Sequence, residues 1–178
     1  MDMNTNSSRS YSLRVGIASD IPFAIEIWRS AIESASNLKL PSHGIEQQIR
    51  ILHELVLPNS AGGFWVAETT DQIIGWQSLS PTNSNDSLYG HANVMSSTYI
   101  KRRSGDRDLG SKLVGLAIQH ALSSDISLVF AYIAQSNAAS KRLARLHGFE
   151  MLGTFPKISG WSDDEPLQYW FRQTVSAE

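Results

Sequence analysis

Residues 97–149 read STYIKRRSGDRDLGSKLVGLAIQHALSSDISLVFAYIAQSNAASKRLARLHGF, and this stretch decides the fold. It opens on the end of a strand expected from about Tyr89 to Ile100. A loop dense in charge follows, from Lys101 to Asp108. Leu109, Leu113, Leu116 and Ala117 then recur at helical spacing and share one face. Ser127 to Ile133 is a short apolar run that suits a buried strand. Asn137 is placed to cap the next helix, and Gly148 to end it as the residue that takes positive φ. Strand, loop, helix, strand, helix is the order of a crossover unit. Its loop and first helix start are the expected cofactor site, because the free N–H groups of a helix N-terminus attract anions.

On the N-terminal side, Leu13 to Ile17 alternates and suits a first strand. Ser19 or Asp20 is the expected N-cap of a helix running to about Ala35, with Pro22 in its first turn and Ile21, Ile25, Trp28 and Ile32 on one face. A second helix is expected from about Gly44 to Leu57, ended by Pro58 and Asn59. Phe64 to Glu68 and Ile73 to Leu79 flank the polar turn Thr69 to Gln72, a hairpin pattern. Gly75 inside the second of these strands signals a bulge or a close backbone approach. On the C-terminal side, Phe149 to Phe155 and Leu167 to Thr174 complete a layered α+β design. The polar first twelve residues are expected to be a disordered tail, leaving residues 13–178 as a single domain.

Composition removes several function classes. The 178 residues carry a net charge of −2, so there is no general pull toward nucleic acid or anionic lipid. There is no cysteine, and His43, His53, His91, His120 and His147 show no metal-binding spacing, so no metal site is expected. Apolar runs are too short to span a bilayer, and the expected location is cytoplasmic. Lys101-Arg102-Arg103, beside Asp106 and Asp108, is too small and too balanced a cluster to bind nucleic acid.

Four motifs in order resemble the GNAT acyltransferase family, and within it the phosphinothricin and small amino-acid N-acetyltransferases. Ser97-Thr98-Tyr99-Ile100 is similar to their S-V-Y-V strand end. Leu109-Gly110 resembles the close of their R-G-x-G-L-G loop. Asn137 to Ser140, Leu143 and Gly148-Phe149 resemble N-x-x-S-x-x-L-x-x-x-x-G-F. Lys157, Gly160-Trp161 and Asp163, then Tyr169-Trp170, resemble the family's K-x-x-G-W-x-D…F-W tail. The resemblance covers nearly the whole chain after residue 12.

It implies a GNAT fold: a mixed, mostly antiparallel sheet of about seven strands flanked by four helices. It implies an N-acetyltransferase using acetyl-CoA as cosubstrate, without a metal, on the primary amine of a small molecule such as an amino acid or analogue. The residues it assigns to acetyl-CoA are Thr98, Tyr99, Ile100, Arg107, Asp108, Leu109, Gly110, Ser111, Asn137 and Ser140. A homodimer closing the acceptor pocket with the last strands is implied as well, with Trp161, Tyr169 and Trp170 placed for a pocket, a seam or the core. Asn37, Lys39 and His43 fall where the family varies with its acceptor.

Departures from the family pattern are concentrated at the site. Aligned on Leu109-Gly110, the loop arginine falls on Gly105 and the middle glycines on Asp106 and Asp108, so only Gly110 is kept. Asp108 thus stands where positive φ is expected, with the alternative that it simply N-caps the third helix, and Arg102, Arg103, Arg107 and Lys112 are placed to offset the added carboxylates. Met95 replaces the glutamate that relatives use as base. Strand alternation puts His91 and Asn93 on the same face as Met95, which makes them the candidate catalytic pair, with His91 titrating in the useful range. Ala144 replaces the family's acid, and nearby His147 is expected to pack. These losses leave open a binding or partner protein on the same fold, or an enzyme that uses another acyl donor.

Overall fold

The computed structural model describes residues 10–36, 41–82, 92–102, 108–156 and 165–174. Among them the chain runs β1 (Ser12–Val15), a 3-10 turn (Ala18–Asp20), α1 (Ile21–Ser36), α2 (Ser42–Leu55), β2 (Gly63–Glu68), β3 (Ile73–Pro81) and β4 (Ala92–Ile100). It continues with α3 (Leu109–Leu122), β5 (Ile126–Ala134), α4 (Ala138–Leu146), β6 (Glu150–Phe155) and β7 (Leu167–Gln173). The strands form one seven-stranded sheet in the order β1-β2-β3-β4-β5-β7-β6. β4 and β5 pair in parallel across the α3 crossover, and the other neighbours are antiparallel. This is the α+β architecture expected from the element order.

Alternation along β2 shows how the sheet serves two cores. Phe64 and Val66 face α1 and α2 with Ile21, Ala24, Ile25, Leu52 and Trp76. Trp65 and Ala67 face α3 with Leu109, Leu113, Val114 and Ala117. The indole N–H of fully buried Trp76 donates to the Ala24 carbonyl of α1 at 2.9 Å, which fixes that helix to the sheet.

Gly75 meets both readings of its position. Ala67 opposes Gly75 while Glu68 opposes Ile73, so Ile74 is the extra residue of a bulge. The bulge reverses the faces: Ile73 packs with α1 and α2, Ile74 with α3. A Cβ on Gly75 would also lie 3.2 Å from the Tyr99 carbonyl oxygen.

Two expectations are corrected. Asp20 does not cap α1 but closes the 3-10 turn, its carboxylate accepting the Ile17 N–H at 2.9 Å and both guanidinium arms of Arg14 at 2.6 and 2.9 Å. Arg14 lies six residues back and also reaches Glu68 at 2.7 Å, so the Asp20 carboxylate is committed to the residues that precede it. Asp108 occupies the N-cap position of α3 with φ −98°, so the backbone takes an ordinary conformation where a glycine-like one was expected. Lys112 donates to the Tyr11 hydroxyl at 2.7 Å. Asn137 and Gly148 act as read: Asn137 Oδ1 accepts the Ser140 N–H at 3.0 Å, and Gly148 has φ +72°.

Candidate functional site

β4 is long enough to pair with β5 throughout, but the pairing stops early. It holds Ala92 to Met95 against Ile126 to Phe130 and ends there. Beyond it the two strands diverge around a cleft of about 520 Å³. Ser96 to Ile100 line one wall and Ala131 to Ala134 the other. Asn137, Ser140, Leu143 and Ala144 of α4 border it on one sheet face, while Ala31 and Ile32 of α1 reach it from the opposite face. The cleft therefore passes through the sheet. A second hollow of about 600 Å³, between α1 and the ends of β3 and β4, shares Ala31 and Ile100 with it and carries Glu26, Lys101 and Arg102.

The backbone of β4 is divided between its neighbours. Thr82 N–H donates to the Asn93 carbonyl at 2.9 Å, and Lys101 N–H to the Ile74 carbonyl at 2.8 Å. In an antiparallel ladder such pairs recur at every second residue. The odd-numbered residues from Asn93 to Lys101 thus bond β3. Thr98 and Ile100 turn their N–H and C=O groups toward the cleft, where no described strand pairs with them.

Side chains follow the same alternation. Tyr99 faces α1: its ring lies 4.9 Å from that of Trp76, and burial pushes its phenol pKa up against the opposing hydrogen bond with Trp28. Tyr99 borders the cleft, but its amide belongs to β3. Ser96 and Thr98 face α3 and α4, and both bond Gln77 of β3, which is fully buried. Sequence reading passed over Gln77 and Ser96. A glutamine between Trp76 and Leu79 in a strand rich in apolar residues was the available signal.

α3 begins beside the open end of the cleft. A Cβ on Gly110 would lie 3.2 Å from Ile100 Cδ1 and 3.4 Å from Leu143 Cδ2, so a glycine lets the helix start sit against β4 and α4. The first intrahelical bond is donated by Lys112, to the Asp108 carbonyl, so the N–H groups of Leu109, Gly110 and Ser111 precede the ladder. The Ser111 hydroxyl lies 3.0 Å from His147 Nε2. Burial, helped by the Arg172 charge, holds the His147 pKa below its usual value despite its contact with Ser111. His147 is thus a neutral link between α3 and the end of α4, consistent with a packing role.

The structure brings together Thr98, Tyr99, Ile100, Asn137 and Ser140 around the cleft, with Asp108, Leu109, Gly110 and Ser111 at the adjoining helix start. Asn93 is on β4, within its paired segment and on the α1 side. His91, Arg107, Asn37, Lys39, Lys157, Trp161 and Asp163 lie outside the described residues. His43 is in the first turn of α2, away from the cleft lining. Trp170 is buried in the α3 core. Tyr169 stacks on Phe130 and Tyr132 at ring separations of 5.1 and 5.0 Å. Among the described lining residues none is a carboxylate, histidine, lysine or arginine. No three potential ligand side chains gather to hold a metal, and no helix is long and apolar enough to cross a membrane, among the described residues.

The family model described as the acetyltransferase (GNAT) family matches residues 26–149. A phosphinothricin N-acetyltransferase of Streptomyces coelicolor is 28% identical over 89 residues, which are 50% of this chain and 51% of that protein. The match thus spans about half of that relative's length. A ribosomal-protein-alanine N-acetyltransferase from Brucella melitensis superposes with a TM-score of 0.75 at 21% identity, covering 91% of this chain and 99% of the other. A phosphinothricin acetyltransferase from Sinorhizobium meliloti, solved in complex with acetyl-CoA, gives 0.72 at 19% identity, covering 92% and 88%.

Proposed function

The chain belongs to the acetyltransferase (GNAT) family, and from that membership we propose that it moves an acetyl group from acetyl-CoA to the primary amine of a small molecule. The cleft between β4 and β5 is the observation that carries this reading. Thr98 and Ile100 offer N–H and C=O groups at strand spacing, which suits the amides of a pantetheine arm lying as an added strand. The N–H groups at the start of α3 suit its pyrophosphate. Asn137 and Ser140, across the cleft, suit the same arm. Arg107 is proposed to add charge there. The residues present therefore fit the cosubstrate.

Because the cleft passes through the sheet, donor and acceptor can enter from opposite faces. When bound, the thioester would supply an activated acyl carbon: the amine nitrogen bonds to it as the C–S bond breaks, the sulfur leaves as a thiolate, and the one proton shed by the nitrogen ends on that sulfur as the thiol. The chain's contribution is to hold the reactants together and exclude water, which lowers the barrier through proximity and fixed donors. The described residues that line the cleft carry no charge, which favours attack by a neutral amine. His91, together with Asn93, is proposed to take the proton.

The exposed apolar side chains Met151, Leu152 and Phe155 on the edge strand β6 support a homodimer formed through the last strands. Calorimetry with acetyl-CoA, followed by an amine panel read by thiol release, tests the function. Binding with turnover of one amine is the expected result, and absence of binding at millimolar acetyl-CoA overturns it. Binding without turnover of any amine supports instead a ligand-binding protein, a reading favoured by Ala144 at the position of the family's acid.

A further inference from the structure

The cleft carries a hydrogen-bond polarity that is set from beneath by Gln77. Its side chain is fully buried, and its amide makes three hydrogen bonds. The amide nitrogen lies 2.9 Å from the Ser78 carbonyl oxygen. A backbone carbonyl can only accept, so that contact fixes which end of the amide is nitrogen. The same nitrogen donates to Ser96 Oγ at 2.9 Å. The amide oxygen is left to accept from the Thr98 hydroxyl. Thr98 therefore spends its proton on Gln77 and turns lone pairs to the cleft. Ser96 receives a proton from Gln77 and keeps its own O–H to donate. Two chemically similar hydroxyls are thereby made opposite, a donor at Ser96 and an acceptor at Thr98.

Their order along the strand matters. Ser96 directly follows Met95, where pairing with β5 ends, so it sits at the narrow end of the cleft. Thr98 lies toward the open end and the start of α3, about 7 Å along the strand at two residues' rise. On the reading that the cleft holds an acyl-CoA, the phosphates lie at the open end and the acyl group at the narrow end. The acyl carbonyl oxygen is an acceptor. The first amide N–H of the arm is a donor, set back from that carbonyl by the sulfur and an ethylene link, a comparable span. Both match the polarity that Gln77 imposes.

We propose that Ser96 donates a hydrogen bond to the acyl carbonyl, that Thr98 accepts one from the first amide of the arm, and that Gln77 is the positioning residue that assigns these roles. Free CoA has the arm but no acyl carbonyl, so the two ligands separate the two contacts. Affinities of acetyl-CoA and CoA are measured by calorimetry for each protein. Ser96→Ala lowers the ratio of acetyl-CoA to CoA affinity by about fivefold, the loss of one ordinary hydrogen bond. Thr98→Val weakens both ligands equally and leaves the ratio alone. Thr98→Ser restores both. A general disturbance of the cleft would not sort the ligands in this way.

An unchanged ratio in Ser96→Ala overturns the donor assignment, and an unchanged CoA affinity in Thr98→Val overturns the acceptor assignment. Gln77→Met, checked for folding by its melting curve, is expected to reproduce part of the Ser96→Ala loss. If it folds and keeps the wild-type ratio, the positioning role falls while the donor stands. If it does not fold, the Ser96 and Thr98 variants still decide the two contacts. Failure of the wild-type protein to bind either ligand overturns the functional reading itself, a result distinct from all of these.

Discussion

Arg14 is shared by two carboxylates that stand far apart in sequence, Asp20 and Glu68. Burial works to raise the Asp20 pKa, yet the Arg14 fork and the Ile17 N–H outweigh it and hold the carboxyl below its ordinary value. A carboxylate depressed in the folded state stabilises the fold above the unfolded value near pH 4, and that contribution is lost as pH falls through the lower folded value. Asp20→Asn is expected to cost about 2 kcal/mol at neutral pH. In urea titrations repeated across pH, the difference from wild type should shrink below about pH 4 as the wild-type carboxyl is protonated. His91 makes a kinetic prediction. Replacing a general base typically costs 10²–10⁴-fold, so on the proposal that His91 takes the proton, His91→Ala should slow turnover by roughly that factor and flatten the pH dependence of the rate. An unchanged profile would return proton removal to solvent.

Among the elements, α3 and α4 show what was legible. Asn137 and Gly148 were readable because a cap and a left-handed stop are local, needing only the residue and its neighbours. Gly148→Ala is expected to cost about 1–2 kcal/mol from backbone strain alone, lowering the melting temperature by roughly 2–8 °C. A Cβ there would also lie 2.5 Å from Arg172 Nη1, which bonds the His147 carbonyl. The start of α3 was less legible. Asp108 was aligned with a glycine, but its φ is set by how the loop enters the helix, and a motif carries no such geometry. The contact of Lys112 with Tyr11, 101 residues away, has no local signal in the sequence. Gln77 was missed for the same reason: its partners on β4 become neighbours only when the sheet forms. The Asp108 carboxylate stands at the positive end of the helix, where a bound pyrophosphate would compete with it. Two like charges about 4 Å apart in a solvated setting repel by about 1 kcal/mol. Asp108→Asn should therefore tighten acetyl-CoA binding roughly fivefold at low salt, and the gain should fade at high salt. Loss of affinity in calorimetry would show that Asp108 supports the loop instead.

For the molecule as a whole, ligand binding should be visible without any turnover. A hundredfold excess of acetyl-CoA over its Kd adds about 2.7 kcal/mol of stability, a shift well within reach of a thermal melt. The α+β class was legible because hydrophobic periodicity gives the element order and the β4-α3-β5 crossover, whereas the position of β7 between β5 and β6 came only with the structure. The early parting of β4 from β5 was not legible either, since nothing in the alternation of residues 92–100 marks where pairing stops. That parting has a consequence for how the sheet exchanges its amide hydrogens with deuterated water. Ser97, Tyr99 and Lys101 are held by β3, while Thr98 and Ile100 point the other way, so exchange along this one strand should alternate slow and fast, residue by residue, like the teeth of a comb. A ligand laid in the cleft as an added strand would fill only the fast teeth.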